Sequence, residues 1–123
     1  VNRFFFLSIL FVLILSCNKE SAEQQSVMLR VRNLTDIEFT TVNSAQTSFG
    51  AISPGAVTSY KLLENVIAYP GSAIQTGQLT IYAGLYFYCG TPPIPLLEKG
   101  KYTLEVYKDA TQFYGYNCRF VMD

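Results

Sequence analysis

The sequence predicts one antiparallel β-sandwich of seven to eight short strands behind an export segment. After residue 26, apolar and polar residues alternate with a period of two over several runs, as in half-buried strands. Turn-forming residues recur about every ten positions, and all five prolines lie in or beside the expected connections. A chain of 123 residues has room for one ordinary core. We therefore divide it into an export signal (1–16), a tether (17–26) and a sandwich domain (27–123).

The first segment is strongly apolar but too short to span a membrane. Arg3 precedes the run from Phe4 to Leu15, which only Ser8 interrupts. Twelve helical residues rise about 18 Å, whereas the hydrocarbon core of a bilayer is about 30 Å thick. A basic residue followed by a short apolar run is typical of a secretory signal. We therefore expect residues 1–16 to direct export and then to be removed.

The apolar run ends at a cysteine. Ile14-Leu15-Ser16-Cys17 resembles a bacterial lipobox, in which the cysteine thiol is diacylated, the signal is cleaved before it and the new amino group is acylated. Leu15 departs from the pattern, because a small residue is more usual there. Two or more acyl chains anchor a protein stably, whereas one binds only marginally. The resemblance implies that acyl chains on Cys17 hold the protein to a membrane.

Residues 18–26 contain no large apolar side chain. Such a segment cannot offset its ordering entropy, so we expect a flexible tether that reaches about 30 Å when extended. Asn18 is not the aspartate that implies inner-membrane retention. Lys19-Glu20 with Glu23 is similar to the short export signal of surface lipoproteins in Bacteroidetes-type bacteria, although plain tether remains the alternative. We expect an exported, outer-membrane protein on the periplasmic side or at the cell surface.

The first half of the domain reads as short strands separated by turns. Val27, Leu29 and Val31 have inward parity, with charged neighbours facing solvent. Asn33-Leu34-Thr35 matches a glycosylation sequon, but we interpret this stretch as a turn. Further extended segments are expected within residues 37–42, 49–52 and 57–63. Residues 60–69 also fit a helix, which is the second choice there.

The second half shows the clearest alternation. Thr76-Gly77 predicts a hairpin turn between two strands. Residues 101–107 and 116–122 are predicted as the last two strands, with Tyr102, Leu104 and Val106 facing inward. In the strand after the hairpin, one parity is apolar and the other is rich in tyrosine. The apolar parity is Leu79, Ile81, Ala83, Leu85, Phe87 and Cys89, and the other is Gln78, Thr80, Tyr82, Gly84, Tyr86 and Tyr88.

Composition excludes several kinds of chemistry. The chain has no histidine, which removes Ser-His and Cys-His nucleophile pairs and histidine-bearing zinc or haem sites. Nine basic and nine acidic residues leave no net charge, so the basic surface of a nucleic-acid binder is not expected. The carboxylates of the domain lie in turns or beside lysines, as solvated surface charge does. We expect no enzymatic activity, no metal and no cofactor.

Two cysteines remain in the domain if Cys17 is acylated. Cys89 and Cys118 both have inward parity in an exported protein, where disulfides persist. A bridge that closes a loop of about 30 residues contributes about 3.6 kcal/mol in the chain-entropy model. We predict this disulfide, and two buried free thiols are the alternative.

Nine tyrosines without a tryptophan are the unusual feature of the composition. Tyr82, Tyr86 and Tyr88 share the parity opposite to the core. If that face is open, their rings could stack on sugars or anchor a protein partner. If another layer covers it, they are ordinary cross-strand packing. Tyr114 and Tyr116 would extend such a patch only if the last strand lies nearby.

Several turn-and-strand segments resemble small Bacteroidetes-type lipoproteins of unknown function. They are Val31-Arg32-Asn33, Phe49-Gly50 with Pro54-Gly55 and Thr58-Ser59-Tyr60-Lys61, and the stretch from Pro95 to Thr103. Residues 97–106 are also similar to the closing strands of transthyretin-like and carboxypeptidase-regulatory-like modules. The resemblance implies an Ig-like or transthyretin-like sandwich and no catalytic residue.

The function we expect is that of a lipid-anchored binding or structural module of the cell envelope. A glycan-binding accessory lipoprotein with a tyrosine platform is the first alternative, and it requires exposed, coplanar rings. A small hydrolase that uses two carboxylates is the second, and it requires two such groups to converge in a cleft.

Overall fold

A computed structural model describes residues 25–85 and 90–123 and confirms the all-β sandwich. Eight strands form two packed four-stranded sheets, and no helix occurs within the described ranges. The first sheet has the order β4-β1-β7-β8 and the second β3-β2-β5-β6. The strands are β1 (Ser26–Asn33), β2 (Phe39–Ser44), β3 (Thr47–Ile52), β4 (Lys61–Glu64), β5 (Gly71–Thr76), β6 (Leu79–Gly84), β7 (Gly100–Lys108) and β8 (Tyr116–Met122).

One strand pair departs from the antiparallel pattern. β1 and β7 are parallel, with partners from Val27 opposite Gly100 to Asn33 opposite Val106. The loop between β7 and β8 therefore lies at the end of the first sheet opposite to Ser26, where β1 begins. At about 3.3 Å per residue, the length of β7 separates these two ends by about 26 Å.

The core lies between the two sheets and is built from the inward parity of the strands. In β1 and β7 the predicted inward residues are buried, so the alternation there is confirmed. The largest fully buried apolar side chains are Phe39, Leu29, Ile74 and Leu104. Thr103 has outward parity yet is only 1% exposed. Arg30 and Asp123 both bond to its hydroxyl and cover it.

Residues 61–64 form a strand, which was preferred to a helix there. Other boundary and burial predictions were wrong in detail. The β5–β6 turn is Gly77-Gln78, one residue later than predicted, with Gly77 at a positive φ of 66°. Leu79 and Leu85 have inward parity but are 62% and 49% exposed, because only the middle of β6 packs against the core. Phe87 lies outside the described residues.

The sequon asparagine has a structural role. Asn33 is fully buried, and its Nδ2 donates to the carbonyls of Ile37 (2.7 Å) and Ile52 (3.1 Å). Its Oδ1 accepts from the amide (2.9 Å) and hydroxyl (2.6 Å) of Thr35. The turn interpretation is confirmed, and the folded domain leaves this amide inaccessible to glycosylation.

Candidate functional site

Three aromatic side chains meet where β6 lies against the first sheet. Tyr82 has outward parity on β6, and Phe113 and Tyr114 belong to the β7–β8 loop. The ring centroids of Tyr82 and Tyr114 are 5.6 Å apart at an interplanar angle of 65°. Those of Phe113 and Tyr114 are 5.0 Å apart at 79°. Such edge-to-face pairs are favourable ring geometry, and we call these three residues the aromatic patch.

Hydrogen bonds hold the loop that carries two of the rings. Asp109 Oδ1 accepts from the amide (3.0 Å) and hydroxyl (2.6 Å) of Thr111, and its Oδ2 accepts from Asn117 (3.3 Å). These bonds, led by the Thr111 hydroxyl, lower the pKa of Asp109. Amide-to-carbonyl bonds join Asp109 to Gly115, Gln112 to Asp109 and Gly115 to Gln112. The loop is therefore organised before any partner binds.

The aromatic patch is open to solvent. Phe113 is 94% exposed, Tyr114 45% and Tyr82 37%. A single exposed apolar residue needs no explanation, but clustered exposed aromatic rings are typical of an interaction site. Because the loop is held in place, little conformational entropy is lost when these rings are buried against a partner.

The structure brings together part of the predicted platform. Tyr82 has the outward position that its parity predicts and is 37% exposed, which answers for this residue the question that parity left open. Tyr86 and Tyr88 lie outside the described residues. Tyr114 reaches Tyr82, whereas Tyr116 is half-buried against the core. Sequence reasoning missed Phe113, although an aromatic pair in a short polar loop between two strands was a usable signal.

Of the predicted cysteine sites, only Cys118 is described. It is a buried free thiol, 3% exposed, that donates to the carbonyl of Ala83 (3.4 Å). Burial raises its pKa to about 12, against a smaller lowering effect of the Ser72 hydroxyl. The thiol is therefore protonated at neutral pH and a poor nucleophile. The described structure thus has no bridge at Cys118, in line with the free-thiol alternative. Cys17 and Cys89 lie outside the described residues, so lipidation and a bridge to Cys89 stay predictions to be tested on the protein itself.

The carboxylates with shifted pKa values take part in structural interactions. Asp36 accepts from Lys108 at 2.8 Å, which lowers its pKa. Asp123 accepts from the hydroxyls of Tyr60 (2.6 Å) and Thr103 (2.9 and 2.8 Å), which lower its pKa in that order. Lowered pKa values are the opposite of what a general acid requires. Within residues 25–85 and 90–123, no group of three or more His, Cys, Asp or Glu could hold a metal ion.

No protein-family model, curated protein or solved structure matches this chain. In the described ranges no helix has the length and apolar character needed to cross a membrane.

Proposed function

We propose that this chain is a lipid-anchored binding module of the bacterial cell envelope that holds a partner through the aromatic patch. The near-complete exposure of Phe113 at the tip of a hydrogen-bonded loop carries this proposal. The module is non-enzymatic, and acyl chains on Cys17 attach it to the outer membrane. The lipobox and the resemblance to small Bacteroidetes-type lipoproteins support that location.

The topology favours presentation of the patch. The tether enters β1 at Ser26, and the parallel β1–β7 pair puts the β7–β8 loop about 26 Å away at the other end of the first sheet. Phe113 is thereby held away from the point of anchoring.

A protein is the partner that the ring geometry favours. The interplanar angles of 65° and 79° make a ridged surface, whereas a sugar stacks best on an open, flat ring face. Phe113 can enter an apolar pocket, and the two tyrosine hydroxyls can satisfy hydrogen bonds at its rim. A glycan is the second candidate: the exposure of Tyr82 and Tyr114 favours it, whereas the angle of 65° between their rings is not the coplanar arrangement that it requires.

Membrane fractionation tests the anchoring half of the proposal. Cys17→Ser should move the protein from the membrane fraction to the soluble fraction and abolish labelling with a clickable fatty acid. Thr47→Ser, a conservative change on the half-buried β3, is the matched control and should stay in the membrane fraction. A Cys17→Ser variant that remains membrane-bound and acylated would refute lipidation at this site.

Affinity measurements test the binding half once cross-linking in intact envelopes has identified the partner. Phe113→Ser should weaken binding by about 30-fold or more, as loss of a hot-spot aromatic does. Its thermal stability should not change, because the ring is 94% exposed. The control is Leu79→Ser, which removes an exposed apolar side chain of the opposite parity on β6. This variant should keep the affinity of the parent chain. Equal affinity of the two variants would refute the role of the patch.

A further inference from the structure

The outer face of the first sheet carries a layer of cations. Arg30 and Arg32 alternate along β1, and Lys101 on β7 and Arg119 on β8 share their outward parity. Side chains two residues apart on one face are separated by about 6.6 Å. We call these four residues the cationic face.

One carboxylate on this face, that of Glu105, lies beneath two of the cations. Glu105 accepts from Arg119 Nε (2.9 Å) and pairs with Arg32 Nη1 (3.5 Å), so two guanidinium groups share one carboxylate. The Glu105 side chain is 12% exposed, against 55% for Arg119 and 36% for Arg32. An approaching surface therefore meets Arg32 and Arg119 before it meets Glu105, whereas Arg30 and Asp123 are about equally exposed (25% and 24%).

Two of the cations are positioned by a tyrosine ring. The Arg30 guanidinium lies 4.6 Å from the Tyr60 ring centroid and the Lys101 ammonium 5.6 Å from it. Arg30 also pairs with Asp123 at 3.6 Å. Within the described part of the chain, no carboxylate lies within ion-pair distance of Lys101. The charge of Lys101 is thus available to a partner.

The charge balance and the apolar residues of this face match an anionic lipid surface. The four cationic side chains share this face with three side-chain carboxylates, those of Glu105, Asp123 and Glu64 at the β4 edge. One positively charged side chain is therefore in surplus. Exposed Leu62 (68%) and Val121 (37%) lie among them, as apolar residues do on membrane-interface surfaces.

We propose that the cationic face rests on anionic lipid headgroups of the membrane that holds the anchor, an inference that depends on the proposed lipidation of Cys17. The described chain begins at Gln25, beside the start of β1 in this same sheet, and the residues between Cys17 and Gln25 are enough for the face to reach the bilayer. Tyr82 lies on the outer face of the other sheet, so this orientation turns it away from the membrane and toward the aqueous compartment.

Footprinting of the protein as isolated from its native membrane and reconstituted with vesicles tests this orientation. We compare phosphatidylcholine vesicles with vesicles that also contain about one third phosphatidylglycerol. A membrane-impermeant amine reagent modifies exposed lysines, and mass spectrometry gives the modification of Lys101 relative to Lys61, which bonds to Ser48 on the other sheet. One surplus cation favours the orientation with this face on an anionic membrane by about fivefold. The ratio of Lys101 to Lys61 modification should therefore fall about fivefold in anionic vesicles. It should recover in about 1 M NaCl.

Single variants keep the test independent of folding. Arg119→Gln leaves Arg32 to pair with Glu105 and should abolish the protection of Lys101. Lys108→Gln, which removes a cation from the other end of the sheet, should preserve it. Each variant is first shown to melt with a single transition like the parent chain.

The outcomes separate this inference from the proposed function. A vesicle-bound protein with equal Lys101 reactivity in both membranes overturns the inference and leaves the anchored module intact. A protein that binds neither vesicle refutes the anchor and the orientation together. Protection by soluble polygalacturonate but not by anionic vesicles would assign the face to an acidic glycan and overturn the membrane inference.

Discussion

The Asn33→Ala substitution removes the amide that joins the end of β1, the following turn and the end of β3. The carbonyls of Ile37 and Ile52 lose the Asn33 donor, and the amide of Thr35 loses its acceptor; only the longer bond from the Thr35 hydroxyl to the Ile37 carbonyl (3.3 Å) remains. Asn33 is 0% exposed, so water does not readily replace these bonds. A buried polar group left without a partner costs about 1–3 kcal/mol. Allowing for local relaxation, we expect the free energy of unfolding to fall by about 3–5 kcal/mol.

Urea unfolding followed by circular dichroism measures this loss. Asn117→Ala is the matched control, because Asn117 is only half-buried and bonds to Asp109 and to the Cys118 amide. We expect the control to lose about 1 kcal/mol or less. A loss for Asn33→Ala below about 1 kcal/mol, or equal to that of the control, would contradict the role given to this residue.

Three further predictions concern other parts of the fold. Gly84→Ala should cost about 2–4 kcal/mol by thermal melting, because φ is +66° and a Cβ would collide with the backbone carbonyl oxygen of Pro70 and lie 2.7 Å from Cys118 Sγ. Gly55→Ala, at φ +77° in open space, should cost about 1 kcal/mol, and equal losses would refute the packing argument. Asp123 has a lowered pKa, so its contribution to the free energy of unfolding should be full above about pH 4 and decline in more acidic buffer. Asp123→Asn should reduce the dependence of the free energy of unfolding on pH below about pH 4, and an unchanged dependence would contradict this role. If Cys89 and Cys118 are bridged, reduction should add two hydrogens to the intact mass, whereas equal thiol labelling before and after reduction would contradict the bridge.

Alternation predicted the strands whose full length packs against the core. β1 and β7 follow the period of two because both run through the centre of the first sheet. The same pattern was wrong for Leu79 and Leu85, since parity states which face a side chain occupies and not whether another layer covers it. Thr103 shows the converse, because long neighbouring side chains bury an outward residue.

The candidate site was predictable only in part. Tyr82 was found from its parity, but its contact with Tyr114 depends on β6 lying against the first sheet, and alternation does not encode which strands become neighbours. The parallel pairing of β1 with β7 escaped prediction for the same reason. Phe113 lies in a loop, where no periodicity distinguishes an exposed ring from a packed one.

Contact of an anchored module with its partner through Phe113 can be measured by photo-cross-linking in intact cell envelopes, with a photoreactive phenylalanine analogue at position 113. We expect a discrete adduct at this position and none when the analogue replaces Leu79. The adduct should be lost when Cys17→Ser releases the module. An absence of adduct at position 113, or identical adducts at both positions, would contradict it.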